Sequence, residues 1–235
     1  LDLIGGARPG IADPFLPNKV REGREDEIRE CIGCNICISS WHDGVPVRCT
    51  QNATAGEEWR KGWHPEKFDS PGSNDRILIV GGGPAGLEAA LVAAKRGYRV
   101  AIADKASEMG GRLLFETRMP GLNAWSRVQD YRLYALQQMG NVDIYTDSEL
   151  GVEEVFALEY QRVAIATGAR WTRALYSSLE IPVGELNMPN VFTPDDLAAG
   201  TIPEGPVLVY DFDNYYLGGV IAEHLAALGI ATSYA

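Results

Sequence analysis

The chain has 235 residues, 46% of them apolar and 23% charged, with a formal net charge of −11. That surplus of carboxylates excludes a protein that coats nucleic acid, because neutralising phosphates needs a cationic surface. No uncharged run approaches the ~20 residues that cross a bilayer, so no membrane partner is expected, and the length suffices for a buried core in one or two domains.

All four cysteines fall between Cys31 and Cys49. A disulfide framework would spread them over a chain of this size, so the clustering points to a metal, and with no leader segment the thiols read as cytoplasmic ligands. The chain has no initiator Met, and Gly229–Ala235 reads as the start of a strand with nothing after it. Both ends are therefore expected to be interior points of a longer protein.

In chain order, residues 1 to 17 are apolar, then glycine-rich, then punctuated by Pro9, Pro14 and Pro17, which predicts a strand running into a loop. Residues 19 to 30 are charge-dense without a strong apolar face and read as a short solvated helix leading into the cysteines. Asp69 to Asp75 is a linker by composition, and a boundary is placed there. Arg76–Val80 is a short apolar run of the kind buried in a parallel sheet. Leu87, Ala90, Leu91 and Ala94 then recur at helical spacing until Gly97, and Arg99–Ala103 forms a second strand ending at Asp104. Val163 to Ala169 reads as a buried strand ending in the Thr167–Gly168 turn. A weaker βαβ copy is expected at 207 to 235. Residues 146 to 235 hold 3 basic and 13 acidic side chains, which accounts for nearly the whole charge excess.

Cys31, Cys34 and Cys37 are three residues apart, and Cys49 follows after eleven intervening residues. Zinc sites usually use two separated Cys-x2-Cys pairs, whereas three close cysteines and a distant fourth suit a 4Fe-4S cluster with one thiolate per iron. Structural zinc and free thiols are the alternatives. Gly33, Asn35 and Thr50–Asn52 read either as amide donors to a cluster or as ordinary loop polarity. His42, His64 and His224 have no second ligand at metal spacing and read as structural. Trp41, Trp59 and Trp63 read as shielding for the cluster or as core packing.

Gly81-x-Gly83-x-x-Gly86 follows a strand and opens a helix, and Asp104 stands 21 residues after Gly83 at the end of the next strand. In that context Gly81, Gly83, Pro84, Ala85 and Gly86 read as a turn that binds an adenine dinucleotide or ADP, whose helix amides would face a pyrophosphate while Asp104 would accept from the adenosine ribose; a purely structural glycine turn is the alternative. Lys105, Gly111 and Arg112 lie just beyond, with Arg112 as a pyrophosphate clamp or a plain surface residue. The Thr167–Gly168 turn resembles the point at which the chain of two-dinucleotide flavoproteins returns beside the cofactor, which makes both residues candidate cofactor contacts. The corresponding turn in the second unit, Asp211 to Gly219, is longer, bulky and carries two carboxylates. Phosphate would be repelled and blocked there, so this unit reads as one that has lost its nicotinamide cofactor, with binding in an unusual mode as the alternative.

Cys31-Ile-Gly-Cys-Asn-Ile-Cys, Cys49-Thr-Gln-Asn-Ala-Thr-Ala-Gly-Glu-Glu and Trp63-His-Pro-Glu-Lys-Phe together resemble the trimethylamine dehydrogenase family of iron–sulfur flavoproteins, which includes dimethylamine and histamine dehydrogenases and N-methyl amino acid or betaine demethylases. The resemblance covers essentially the whole chain. It implies an α/β protein with five parts. Residues 1–17 end an FMN-binding TIM barrel, 18–68 hold the 4Fe-4S cluster, 69–75 link, 76–180 form a Rossmann-like, glutathione-reductase-like domain for FAD or ADP, and 181–235 begin a degenerate second one. It also implies that Ala7 and Arg8 contact the FMN phosphate. In that family an amine reduces FMN, and electrons pass through the cluster to an electron-transfer flavoprotein, with a homodimer as an open option. Catalytic side chains would lie in the barrel, so none is assigned. The alternatives are an NADPH-dependent enoate or dienoyl-CoA reductase, disfavoured by the second turn, and a non-catalytic electron-transfer module.

Overall fold

The computed structural model describes residues 4–176, 181–186 and 188–235. Residues 1–3 of the expected first strand and the end of the 76–180 segment lie outside the described residues. The chain divides into two compact units, Leu1–Leu114 with Ala124–Thr167, and Phe115–Asn123 with Gly168–Ala235. No helix among the described residues is long and apolar enough to cross a membrane.

The first unit begins with α1 (Ala7–Ala12) and α2 (Leu16–Arg21), followed by a 3-10 turn at Glu25–Glu27. Ala7 to Ala12 is thus helical where a loop was expected. Pro9 and Pro17 fall in the first turns of α1 and α2, where a missing N–H costs little. The charge-dense stretch is helical in two short pieces and mostly exposed, as expected, but two of its cations are internal. Lys19 is 1% and Arg29 6% exposed, because Asp13 and Glu66 supply internal partners that the local pattern could not show.

After the cysteine segment, with α3 (Ile36–His42) and α4 (Glu58–Lys61), come β1 (Arg76–Val80), α5 (Pro84–Lys95) and β2 (Arg99–Ala103). Next are α6 (Leu113–Glu116), α7 (Arg127–Gln137), β3 (Val142–Tyr145), α8 (Val152–Ala157) and β4 (Arg162–Ile165). The four strands form one parallel sheet in the order β3-β2-β1-β4. Central β1 and β2 are buried on both faces, as their continuous apolar runs require. On one face Ile79, Val100 and Ile102 pack with Leu87, Ala90, Leu91 and Ala94 of α5 and with Tyr131 and Leu136 of α7. Each large apolar side chain buried there contributes roughly 1.5–3 kcal/mol. On the other, Leu78, Val80 and Ala101 meet Leu150, Val155 and Tyr160.

The strand expected to be buried at 163 to 169 is shorter and largely exposed. Ala164 and Ala166 turn toward the core, whereas Val163 is 40% and Ile165 69% exposed. β4 is the end strand of this sheet, and the apolar run concealed a period-2 division between its two faces.

The second unit contains an antiparallel pair, β5 (Ala174–Tyr176) and β6 (Pro182–Glu185), and α9 (Pro194–Ala198), capped reciprocally by Thr193 and Asp196. Then β7 (Val207–Val209), α10 (Tyr216–Ala227) and β8 (Thr232–Tyr234) form a parallel βαβ unit, the copy expected from the sequence.

Candidate functional site

The cysteines reach one place by different routes. Cys31 and Cys34 lie on the extended segment before α3, and Gly33 and Asn35 adopt left-handed φ of 72° and 58° that turn the chain between them. Asn35 caps α3, whose first turn carries Cys37. Cys49 arrives on the loop beyond that helix. All four cysteines line one cavity, together with Arg8, Ile11, Ile32, Asn35 and Gln51. The cysteines are unpaired and half-buried, and Cys34 Sγ lies 3.2 Å from Thr50 Oγ1. Burial pushes the Cys49 thiol up, opposed by the backbone N–H groups of Asn52 and Gln51 that hydrogen-bond its sulfur, while nearby Cys34 and Cys31 add to the rise.

Among the described residues no three His, Cys, Asp or Glu side chains converge as one metal ion needs. A mononuclear zinc site draws its sulfurs to ~2.3 Å from one point, whereas a four-iron cluster gives each thiolate its own iron. Four cysteines lining one cavity, three closely spaced and the fourth on a separate loop, are a donor set that suits a cluster with one thiolate per iron.

Arg8 lies on α1, and its Nη1 donates to Asn35 Oδ1 at 2.5 Å, so the structure turns this residue toward the cysteine loop. Ala7, its neighbour, is exposed and does not line the cavity.

Sequence reasoning missed the buried polar groups behind the cysteines. Arg132 is 3% exposed and donates to Glu88 and Gln51, and Gln51 donates to the carbonyls of Glu30 and Arg127. The only available signal was a charge on the face of α7 that otherwise buries Val128, Tyr131 and Leu136. Nearby, Asp13 accepts from Lys19 and from the Arg29 amide, and Glu66 accepts from Lys19 and Arg29. Asn52 reaches the carbonyl of Ile11. The segment is therefore anchored from both sides before any ligand binds.

The glycine turn has the geometry its spacing predicts. Gly81 has φ of 107°, and a Cβ there would stand 2.3 Å from the Ala166 carbonyl oxygen and 3.0 Å from Thr167 N. One on Gly86 would stand 1.9 Å from Gly81 O, so that glycine seats α5 against the strand. At Gly83 a Cβ would meet nothing closer than Gly111 Cα at 4.0 Å. Protein packing does not demand a glycine at that position, and the open space is what a pyrophosphate would use. Pro84 opens α5, which has no side-chain cap, leaving the N-terminal amides around Ala85 and Gly86 for an anion.

The Gly110–Gly111–Arg112 turn docks on this loop through a 2.8 Å bond from Gly110 N to Gly82 O. Arg112 is thereby carried to the turn's vicinity. Asp104 Oδ2 accepts from Gly82 N at 2.5 Å and Oδ1 from Ala106 N at 2.8 Å, so the carboxylate braces the glycine loop. Lys105 beside it is exposed. Gly168, with φ of 84°, follows Thr167 where the second unit begins.

The turn between β7 and α10 spans 210 to 215, twice the 81 to 83 of the first unit. Asp211 fills it: Oδ1 accepts from the amides of Asp213 and Asn214, Oδ2 accepts from Tyr234 Oη, and its Cγ would lie 2.5 Å from a Cβ on Gly218. A carboxylate thus stands where the first unit leaves open space.

The tryptophans are not core residues. Trp41 is 68%, Trp59 81% and Trp63 47% exposed, with Trp63 under the Lys61 ammonium. Trp41 and Trp59 lie on α3 and α4, and Trp63 follows α4. His64 does have a structural task, its Nδ1 accepting from the amides of Glu66 and Lys67.

A parallel sheet with a glycine turn at β1 and an acidic residue closing β2 defines a dinucleotide-binding oxidoreductase fold. The chain belongs to the pyridine nucleotide-disulphide oxidoreductase family, whose model matches residues 75–197. Among particular proteins, it is 43% identical over 239 residues to dimethylamine dehydrogenase of Hyphomicrobium sp. (strain x), an alignment covering 97% of this chain and 32% of that protein. The solved structure of 6-hydroxypseudooxynicotine amine oxidase from Pseudomonas geniculata N1 superposes with a TM-score of 0.93 at 52% identity, over 100% of this chain and 35% of that one. Histamine dehydrogenase from Rhizobium sp. 4-9 gives 0.92 and 48%, with the same coverage. The resemblance to the trimethylamine dehydrogenase family is borne out. The chain spans about a third of the length of the curated relatives it matches.

Proposed function

We propose that this chain is the electron-handling region of an iron–sulfur flavoprotein that dehydrogenates or demethylates an amine. In this reading Cys31, Cys34, Cys37 and Cys49 hold a 4Fe-4S cluster, FMN sits in a preceding barrel that residues 1–17 complete, and an electron-transfer flavoprotein takes the electrons. The observation that carries it is the meeting of all four cysteines at one cavity. The names of the relatives, a dimethylamine and a histamine dehydrogenase, support an amine as substrate.

A cluster bound there would supply one-electron transfer. The protein's part is to hold the four sulfurs, aim the Gln51 and Asn52 amides at Cys49, and shield the cavity with Ile11, Ile32 and Ile36. The Gly81–Gly86 turn would bind the pyrophosphate of ADP or FAD through the first amides of α5, with Asp104 at the ribose and Arg112 near the phosphates. The Asp211 carboxylate, filling the second turn, opposes a nicotinamide nucleotide there.

The test is anaerobic purification of the full-length protein carrying this chain, with iron, sulfide and nucleotide analysis, followed by titration with amines and, separately, NADPH. Flavin bleaching by an amine, with about four irons per chain, supports the reading. Bleaching by NADPH alone, or zinc in place of iron, overturns it.

A further inference from the structure

We infer that Arg132 is a positioning residue for the cysteine centre, fixing the two peptide groups whose N–H bonds point at the Cys49 sulfur and so setting the reduction potential of the cluster held there. The inference rests on the cluster reading above.

The guanidinium is 3% exposed, and each of its nitrogens has a partner. Nε donates to Glu88 Oε2 on α5 at 2.7 Å, and Nη1 donates to Gln51 Oε1 at 2.9 Å and to the Val128 carbonyl at 2.8 Å. Nη2 makes two longer bonds, to the carbonyls of Thr50 at 3.4 Å and Gln51 at 3.5 Å. These are the oxygens of the Thr50–Gln51 and Gln51–Asn52 peptides. The nitrogens of those same two peptides, Gln51 N and Asn52 N, are the donors to Cys49 Sγ.

A trans peptide is planar, with C=O and N–H pointing in opposite directions, so a clamp on the oxygen fixes where the hydrogen points. Bonding the carbonyl to a cation also polarises the N–H and strengthens its bond to sulfur. Gln51 extends the grip. Its Nε2 donates to the carbonyl of Glu30, the residue before Cys31, so one buried amide ties the first cysteine's segment to the last one's. A planar five-donor fork can hold three carbonyls, an amide and a carboxylate at once, and a lysine cannot.

Amide hydrogen bonds to cluster sulfurs favour the reduced, more negative state and raise its potential. The experiment is an EPR-monitored redox titration of the full-length holoprotein, comparing wild type with Arg132→Lys and Arg132→Gln. Arg127→Gln serves as a nearby exposed control, since the Arg127 side chain pairs with Glu30 at the surface and the Arg127 carbonyl that Gln51 bonds is kept in the variant. Couplings of exchangeable protons to the reduced cluster are read from the same samples.

Both Arg132 variants are expected to lower the potential, on the order of tenfold in the reduction equilibrium or about 59 mV for one electron, and to weaken the proton couplings. Arg132→Lys separates geometry from charge, because it keeps the cation and loses the fork. Should the Arg132 variants fail to fold, Gln51→Met retains the side-chain volume and removes the Oε1 anchor, and it too should lower the potential.

Cluster-loaded variants with wild-type potentials and couplings overturn the inference, because a purely structural arginine would alter stability alone. A wild-type protein without iron and sulfide overturns the cluster reading and this inference with it, and that outcome is visible before any variant is made.

Discussion

The Lys19 ammonium lies 2.7 Å from the Asp13 carboxylate, with side chains 2% and 0% exposed. Asp13 also accepts the amides of Phe15 and Arg29, and Lys19 reaches the Glu27 carbonyl and Glu66. The pair closes α1 and α2 over the segment that enters the cysteines. Removing one partner leaves a buried uncompensated charge, so Lys19→Met is expected to cost about 3–5 kcal/mol in urea unfolding at neutral pH. Burial alone would raise the Asp13 carboxyl, but the bonds and charges of Lys19 and Arg29 outweigh it and hold the group below its ordinary value. The stabilisation is therefore present above the unfolded value of about 4 and lost as pH falls through the lower folded one. Asp13→Asn should flatten that acid limb, and an unchanged limb would show that other carboxylates carry it.

Gly83 and Gly86 are expected to separate binding from folding. A Cβ on Gly86 would stand 1.9 Å from Gly81 O, so Gly86→Ala should destabilise the protein by about 3 kcal/mol or more. A Cβ on Gly83 meets open space, and its φ of −73° suits any residue. Gly83→Ala should therefore leave nucleotide-free stability within about 0.5 kcal/mol while weakening nucleotide retention roughly tenfold or more, about 1.4 kcal/mol. Thermal unfolding and nucleotide extraction on the same preparations check both, and equal retention by Gly83→Ala would mean that the nucleotide does not sit on this turn.

The second turn makes an alkaline prediction. The hydrogen bond to Asp211 raises the Tyr234 hydroxyl above its ordinary value, with burial and the carboxylate charge adding to it. A raised group stabilises below its unfolded value of about 10 and loses that contribution as pH climbs through the folded one. Tyr234→Phe should lower the melting temperature modestly at neutral pH, and the difference from wild type should shrink above about pH 10. A constant difference across that range would place the effect in packing instead.

Each cysteine is expected to matter to the metal more than to the chain. Single Cys→Ser changes at 31, 34, 37 or 49 should lower iron and sulfide from about four per chain while far-ultraviolet circular dichroism stays near wild type, because Arg132, Gln51 and the Asp13–Lys19 pair hold the segment without the thiols. Full iron in any one variant would remove that cysteine from the ligand set.

The glycine spacing, the strands around it and the terminal Asp104 were legible in the sequence because their constraints are local: a turn that excludes Cβ atoms, a helix of period 3.6 and an apolar run all write themselves into consecutive residues. The cysteine quartet was legible for a related reason, since three of its members are within one turn of chain. The burial of Lys19 and Arg29, the exposure of Ile165 and of the tryptophans, and the role of Arg132 were not.

What the sequence by itself determined, then, is the α/β fold class, the position of the glycine turn and the grouping of the four cysteines. Tertiary structure alone decided which charges are internal. Lys19 meets Glu66 across 47 residues and Arg132 meets Gln51 across 81. A charged side chain reads as solvated until its partner is known, because burying it without one is prohibitive. Only the folded chain brings Asp13, Glu66, Glu88 and the Thr50 and Gln51 carbonyls to those cations, and with them the anchoring behind the cysteines.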